Sequence, residues 1–236
     1  MENINQYLER YKTQFESEHV LMVPDNHQQH NPDPEYWAIL LGDVQFNPNA
    51  WDGKSAFDFG CGCGRNLYNL STLANWANID GCDISPSNAN YSKEWFDGKN
   101  TKPAVCTTWE NNGSDIQPTL RKYDFIMSHI VFQHISNYDV RFSIMTDMLN
   151  SLNDNGLCSL HFMDLAVSSE YYESSLDYQN CRVGNEQYLV DDFNKIGFKN
   201  VKVETGRDYL TGARSYYIKG TKLYNNESSS MFTWVI

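Results

Sequence analysis

No stretch of this chain approaches the roughly 20 consecutive apolar residues that a bilayer-spanning helix requires. The first twenty residues lack the basic start and apolar run of a secretory signal, so a cytoplasmic protein is expected. No two cysteines form a C-x-x-C pair. The six present, at 61, 63, 82, 106, 158 and 181, fall mostly in apolar segments and read as reduced, partly buried thiols. No His or Cys pair at zinc spacing accompanies Cys61 and Cys63, so no metal is expected. Basic residues are scarce: 18 Lys and Arg stand against 30 Asp and Glu, a formal charge of −12 without any basic run. That field repels phosphate backbones, which makes nucleic acid a poor default partner. No repeat and no separating linker interrupts the chain, so one domain is expected over residues 1–236. At 41% hydrophobic and 14% aromatic residues, it has ample material for a globular core.

Two N-terminal segments read as helices. Ile4, Tyr7, Leu8, Tyr11 and Phe15 form a helical stripe. Beyond a polar stretch with prolines at 24, 32 and 34, Asp33-Pro34-Glu35 opens a second helix through Tyr36, Trp37, Leu40, Leu41 and Val44. Together they make a helical extension over 1–50.

From residue 54 the pattern alternates. Apolar runs at 55–59, 79–84, 104–108, 123–128 and 157–163 read as strands, with helical faces between them. This rhythm implies βαβ crossovers. Residues 198–204 and 214–219 read as an antiparallel pair closing one edge, after a helix that ends at Gly197. The expected fold is therefore α/β: a doubly wound, mostly parallel seven-stranded sheet with helices on both faces. Residues 54–164 form its core. The polar, Tyr-rich stretch 165–188 is too long for a plain connection and reads as an insertion, a possible substrate lid. Residues 189–236 supply the last helix and the edge strands. Their apolar end, Met231 to Ile236, is expected to dock on the rest.

Glycines 60, 62 and 64 lie between a strand and a helix, where a ligand must approach the backbone closely. A dinucleotide fingerprint would need a glycine at 65, which is Arg65, so the spacing disfavours a pyrophosphate. Asp83 ends the second apolar run, where a carboxylate accepts bonds from both ribose hydroxyls. The ligand reads as a nucleoside carrying some other polar group.

D-F-G-C-G-C-G-R at 58–65, G-C-D-I-S at 81–85, N-N-G-S-D-I at 111–116, Y-D-F-I-M-S-H-I-V-F-Q-H-I at 123–135 and L-N-D-N-G-L at 152–157 resemble, in order and spacing, the motifs of class I S-adenosylmethionine-dependent methyltransferases. Asp-Asn-Gly stands where that family usually has Pro-Gly-Gly, and the 165–188 insertion matches no substrate-specific subfamily. The resemblance implies S-adenosylmethionine as cofactor. Gly60, Gly62 and Gly64 would line its methionine part, with Asp58 orienting the loop. Asp83 would hold the ribose, Ile84 would pack on the adenine, and Asn112 and Asp115 would read the adenine edge. Ser128 and His129 would border the methionine tail and the acceptor pocket.

Plainer roles stand beside these. Asp83 could cap the helix opened by Ser85-Pro86, although Ser85 can do that itself. Asp58, inside an apolar strand, needs partners such as the loop's N–H groups. His134 is the candidate general base, or else a residue satisfying a buried carbonyl. Tyr171, Tyr172 and Tyr178 form either an acceptor lid or a surface loop. The expected activity is methyl transfer to an O or N atom of a small-molecule acceptor. A macromolecular acceptor, or a non-catalytic module with the same fold, is the alternative.

Overall fold

The computed structural model describes residues 48–97, 105–116, 121–135, 137–164, 171–172, 182–207 and 214–223, together with Gln6, Glu9, Lys12 and Thr13. Seven strands form one sheet in the order β3-β2-β1-β4-β5-β9-β8. They are β1 (Ser55–Phe59), β2 (Asn78–Asp83), β3 (Val105–Glu110), β4 (Tyr123–Ser128), β5 (Leu152–Met163), β8 (Lys199–Arg207) and β9 (Arg214–Thr221). The first five run parallel; β9 joins β5 antiparallel and β8 closes the edge. The expected fold class is what the chain adopts. A separate two-stranded sheet pairs β6 (Tyr171–Tyr172) with β7 (Arg182–Val183), both within the 165–188 insertion.

Alternation along the strands divides the core between the two faces of the sheet. Phe57, Phe59 and Ile126 face one cluster, with Ile144, Met145 and Met148 of α3 (Tyr138–Ser151) and Leu189 and Phe193 of α4 (Glu186–Ile196). Ala56, Phe125 and Met127 face the other, with Leu67 and Leu70 of α1 (Arg65–Leu73) and Phe96 of α2 (Pro86–Asp97). Side chains thus cover both faces, as parallel strands require.

Local chemistry sets the helix ends. Asn137 accepts from Val140 N at 3.1 Å and Asn185 from Gln187 N at 2.9 Å, so α3 and α4 start earlier than their apolar periodicity suggests. Gly197, at φ +117°, terminates α4 where expected. The Asn155-Gly156 turn sits inside β5 as a bulge: the ladder steps from Tyr123↔Leu152 to Phe125↔Leu157. A Cβ at Gly156 would lie 2.9 Å from Asn153 O and 3.0 Å from Tyr123 O, so glycine is required there.

Gln6, Glu9, Lys12 and Thr13 are helical, and Lys12 pairs with Glu110 at the end of β3. The apolar stripe from Ile4 to Phe15, the helix expected over 34–44, Tyr178 and the apolar end 231–236 lie outside the described residues.

Candidate active site

In an open doubly wound sheet, ligands bind beyond the carboxyl ends of the strands, where the strand order reverses. Here that point lies between β1 and β4. A cleft of about 950 Å³, counted out to its open mouth, occupies it. Loops following β1, β2, β3 and β4 all contribute to its lining.

The loop after β1 is a backbone surface. Gly60, Gly62 and Gly64 adopt φ of +71°, +55° and +96°, a region where side chains are strained. Gly60 N and Cys61 N both donate to Cys82 O, at 2.8 and 2.9 Å. Gly62 N donates to Asp83 Oδ2 at 2.8 Å. Gly60 and Gly62 line the cleft together with Cys61, Arg65 and Asn66. Gly64 does not: it precedes α1, and a Cβ there would come within 2.5 Å of Ser92 Oγ, so this glycine lets α1 and α2 pack closely. Gly81 serves the loop from below, since a Cβ there would meet Cys61 Cβ at 2.9 Å.

Asp83 lines the cleft with Ile84 and Asn88, and it is also the loop's anchor. Besides Gly62 N, it accepts from Ser85 N at 3.0 Å and Asn88 Nδ2 at 3.4 Å. Ser85 Oγ caps α2 by accepting from Asn88 N at 3.2 Å. Three of the roughly four acceptor sites of this carboxylate are thus engaged within the protein.

Asp58 sits apart from the lining. It is buried, and neither carboxyl oxygen has a hydrogen-bond partner among the described residues. The loop's N–H groups, the partners expected for it, go to Cys82 O and Asp83 instead. Burial pushes its carboxyl up to about 8, against the pull of Arg65 and with a further push from Asp83.

After β3, Asn111 and Gly113 line the cleft. Asn112 is exposed; its Oδ1 accepts from Ser114 N and Asp115 N, at 2.9 and 3.1 Å, and its Nδ2 donates to Asp115 Oδ2 at 2.8 Å. Asn112 and Asp115 therefore shape this turn and stand outside the lining. Sequence reading passed over Asn111 in favour of its chemically identical neighbour Asn112. Its side chain accepts from Gly113 N at 2.8 Å.

At the end of β4, Ser128 is buried and donates to Phe59 O at 2.9 Å, tying β4 to β1 outside the cleft lining. His129, Ile130, Val131, His134 and Ile135 form the opposite wall. Ile130 has φ +61°, a true outlier for a β-branched residue. Of the predicted residues, the cleft thus assembles Gly60, Gly62, Asp83, Ile84, His129 and His134. It leaves out Asp58, Gly64, Asn112, Asp115 and Ser128.

The lining suits an adenosyl cofactor. Two left-handed glycines, Gly60 and Gly62, line it without side chains, an acid stands at the β2 edge, and Ile84 offers an apolar surface beside it. Among the described residues, no group of three potential metal ligands occurs and no helix is long and apolar enough to cross a membrane.

Comparisons with known proteins agree. No curated protein sequence matches the chain. Among solved structures it is similar to a chain of the Haloferax volcanii complex containing the Trm112 methyltransferase activator, with TM-score 0.63 and 13% identity over 89% of this chain and 98% of that one. The magnesium protoporphyrin IX methyltransferase of Synechocystis PCC 6803, with bound cofactor, gives TM-score 0.57 and 16% identity over 84% and 79% of the two chains. A methyltransferase from Methanosarcina mazei gives 0.55 and 16% over 73% and 93%. At these identities the structures show the fold alone. Residues 57–158 match the family described as a methyltransferase domain. That match spans under half of the chain; together with this fold and cleft it supports an S-adenosylmethionine-dependent methyltransferase with S-adenosylmethionine as cofactor.

Proposed function

We propose that this enzyme methylates an oxygen or nitrogen nucleophile of a small-molecule acceptor, with His134 taking the proton that an oxygen acceptor loses. One observation carries the reading: the glycine loop and Asp83 share a single cleft with His129 and His134. When bound, the cofactor supplies an activated methyl group, so the protein's work is binding and orientation. In this reading Asp83 holds the ribose and Ile84 lies against the adenine. Asn111 and Gly113 border the adenine edge in place of Asn112 and Asp115. Gly60, Gly62, Arg65 and Asn66 hold the methionine part. Holding the acceptor in line contributes roughly 7–11 kcal/mol, and a base adds about 10²–10⁴-fold.

The net charge of −12 supports a small acceptor over RNA. Buried thiols at Cys61, Cys63, Cys82 and Cys158, none of them in a disulfide, fit a reducing, cytoplasmic setting. We take the chain as one domain whose 165–188 insertion covers the acceptor. Asp164 bridges to Val183, which brings the far end of that insertion to the end of β5. A macromolecular acceptor is the second reading, favoured by the likeness to a chain from a complex with a methyltransferase activator.

The test is transfer of a tritiated methyl group from S-adenosylmethionine into a metabolite extract, total RNA and total protein, assayed separately. Label in the low-mass fraction is the expected result, with turnover lowered about 10²–10⁴-fold in His134→Gln while cofactor affinity holds. Label confined to RNA or protein overturns the small-molecule reading, and undiminished turnover removes His134 as base.

A further inference from the structure

We propose that His161, on β5 and outside the cleft lining, is a positioning residue for the cofactor cleft. Its Nδ1 accepts the backbone N–H of Ile130 and so holds the strained turn that seats Val131 on the glycine loop. This inference rests on the cofactor reading above.

Ile130 is the residue to explain. At φ +61° its branched side chain carries a steric cost that persists only where surrounding structure fixes the conformation. Two fixtures are visible. Ser128 Oγ donates to Phe59 O at 2.9 Å just before the turn, and Ile130 N donates to His161 Nδ1 at 3.3 Å within it. The consequence falls on the next residue. A Cβ built on Gly60 would lie 2.4 and 2.8 Å from the two Val131 methyl carbons, so Val131 fills the space that this glycine leaves open. The turn held by His161 is therefore in direct contact with the loop that lines the cleft.

The His161 ring is itself held. It is fully buried, opposite Tyr217 in the β5–β9 ladder. Its centroid lies 5.2 Å from the Tyr217 ring and 4.8 Å from the His129 ring, edge-on to the latter. An acceptor at Nδ1 needs a lone pair there, which assigns the ring proton of neutral His161 to Nε2. The assignment gives the side chain a definite job: a fixed acceptor aimed at one strained amide.

Two replacements separate that job from mere packing. His161→Asn keeps an acceptor near the position of Nδ1, whereas His161→Phe keeps a ring and removes the acceptor. Affinity for S-adenosylhomocysteine is measured by calorimetry for the wild type and both variants. His161→Phe should weaken binding about fivefold, the worth of one neutral hydrogen bond, and His161→Asn should stay within about twofold. In an Ile130→Gly background, where a left-handed residue needs no support, His161→Phe should lose most of its effect. Equal affinity in the wild type and His161→Phe overturns the proposal, as does an equal loss in His161→Phe and His161→Asn, or an undiminished loss in the glycine background. If His161→Phe does not fold, the wild type decides by NMR: a ¹⁵N–¹⁵N coupling between the Ile130 amide and His161 Nδ1 is expected, and a proton on Nδ1 overturns the assignment. A wild type that binds no S-adenosylhomocysteine removes the cofactor reading and this proposal with it; a binding wild type with an unaffected variant removes this proposal alone.

Discussion

The two walls of the cleft use the same backbone device in different materials. On the β1 side the chain turns left-handed at three glycines. On the β4 side it turns left-handed at Ile130, a residue poorly suited to that conformation. The glycine wall bears its cost as lost chain entropy and needs little help beyond Cys82 O and Asp83. The isoleucine wall carries steric strain and needs partners from a neighbouring strand. Gly60 and Gly64 make room for the side chains of Val131 and Ser92, whereas Ile130 and Val131 add apolar surface to the cleft.

The comparison breaks most visibly at Gly60, where the walls touch. Gly60→Ala places a Cβ 2.4 Å from Val131 Cγ2 and forces φ +71° on a side-chain-bearing residue. The left-handed conformation costs about 1–2 kcal/mol and the overpacking about 1–3 kcal/mol. Denaturant unfolding should therefore show a loss of about 2–5 kcal/mol. Adding Val131→Ala clears the space and should recover the packing share while leaving the conformational share. No recovery would mean that Val131 does not determine the fit.

A smaller effect distinguishes anchor from ligand at Asp83. Asp83→Ala removes the acceptor for Gly62 N and the proposed ribose ligand together, and should weaken S-adenosylhomocysteine binding by about one to two decades. Asp83→Asn retains an acceptor oxygen for the loop while losing the charge, so it should fall between the two in a calorimetric titration. Asp83→Ala with unchanged affinity would remove the ribose role.

This contrast also explains what was legible in the sequence. The parallel core, the edge pair, the glycine loop and Asp83 each rest on a residue type whose chemistry permits few alternatives in its place. Two kinds of feature were not legible. Asn111 and Asn112 are chemically identical neighbours, and only the direction of the chain leaving β3 decides which faces the cleft. Ile130 looks like ordinary core material, because strain belongs to φ and ψ and not to composition. His161 likewise reads as one more residue of an apolar strand until the β4–β5 pairing brings it to the Ile130 amide. Asp58 was recognised as needing partners, yet its carboxyl is buried without any among the described residues.

Asp58 supplies a pH-dependent test, because it lies near the end of the strand that feeds the glycine wall. Its folded carboxyl is raised from 3.8 to about 8, chiefly by burial. A raised acid binds its proton more tightly in the folded chain than in the unfolded one. Its favourable contribution is complete below the unfolded value of 3.8 and is lost as pH climbs toward about 8. Asp58→Asn is uncharged at every pH and nearly the same shape, so it escapes that loss. The variant's stability advantage over the wild type should grow steadily from roughly pH 5 to pH 8, followed as the difference in melting temperature. A constant difference across that range would mean that Asp58 stays ionised beneath the loop, held by Arg65. In that case the glycine wall would rest on a buried charge pair, and its contrast with the strained wall opposite would be one of electrostatics as well as conformation.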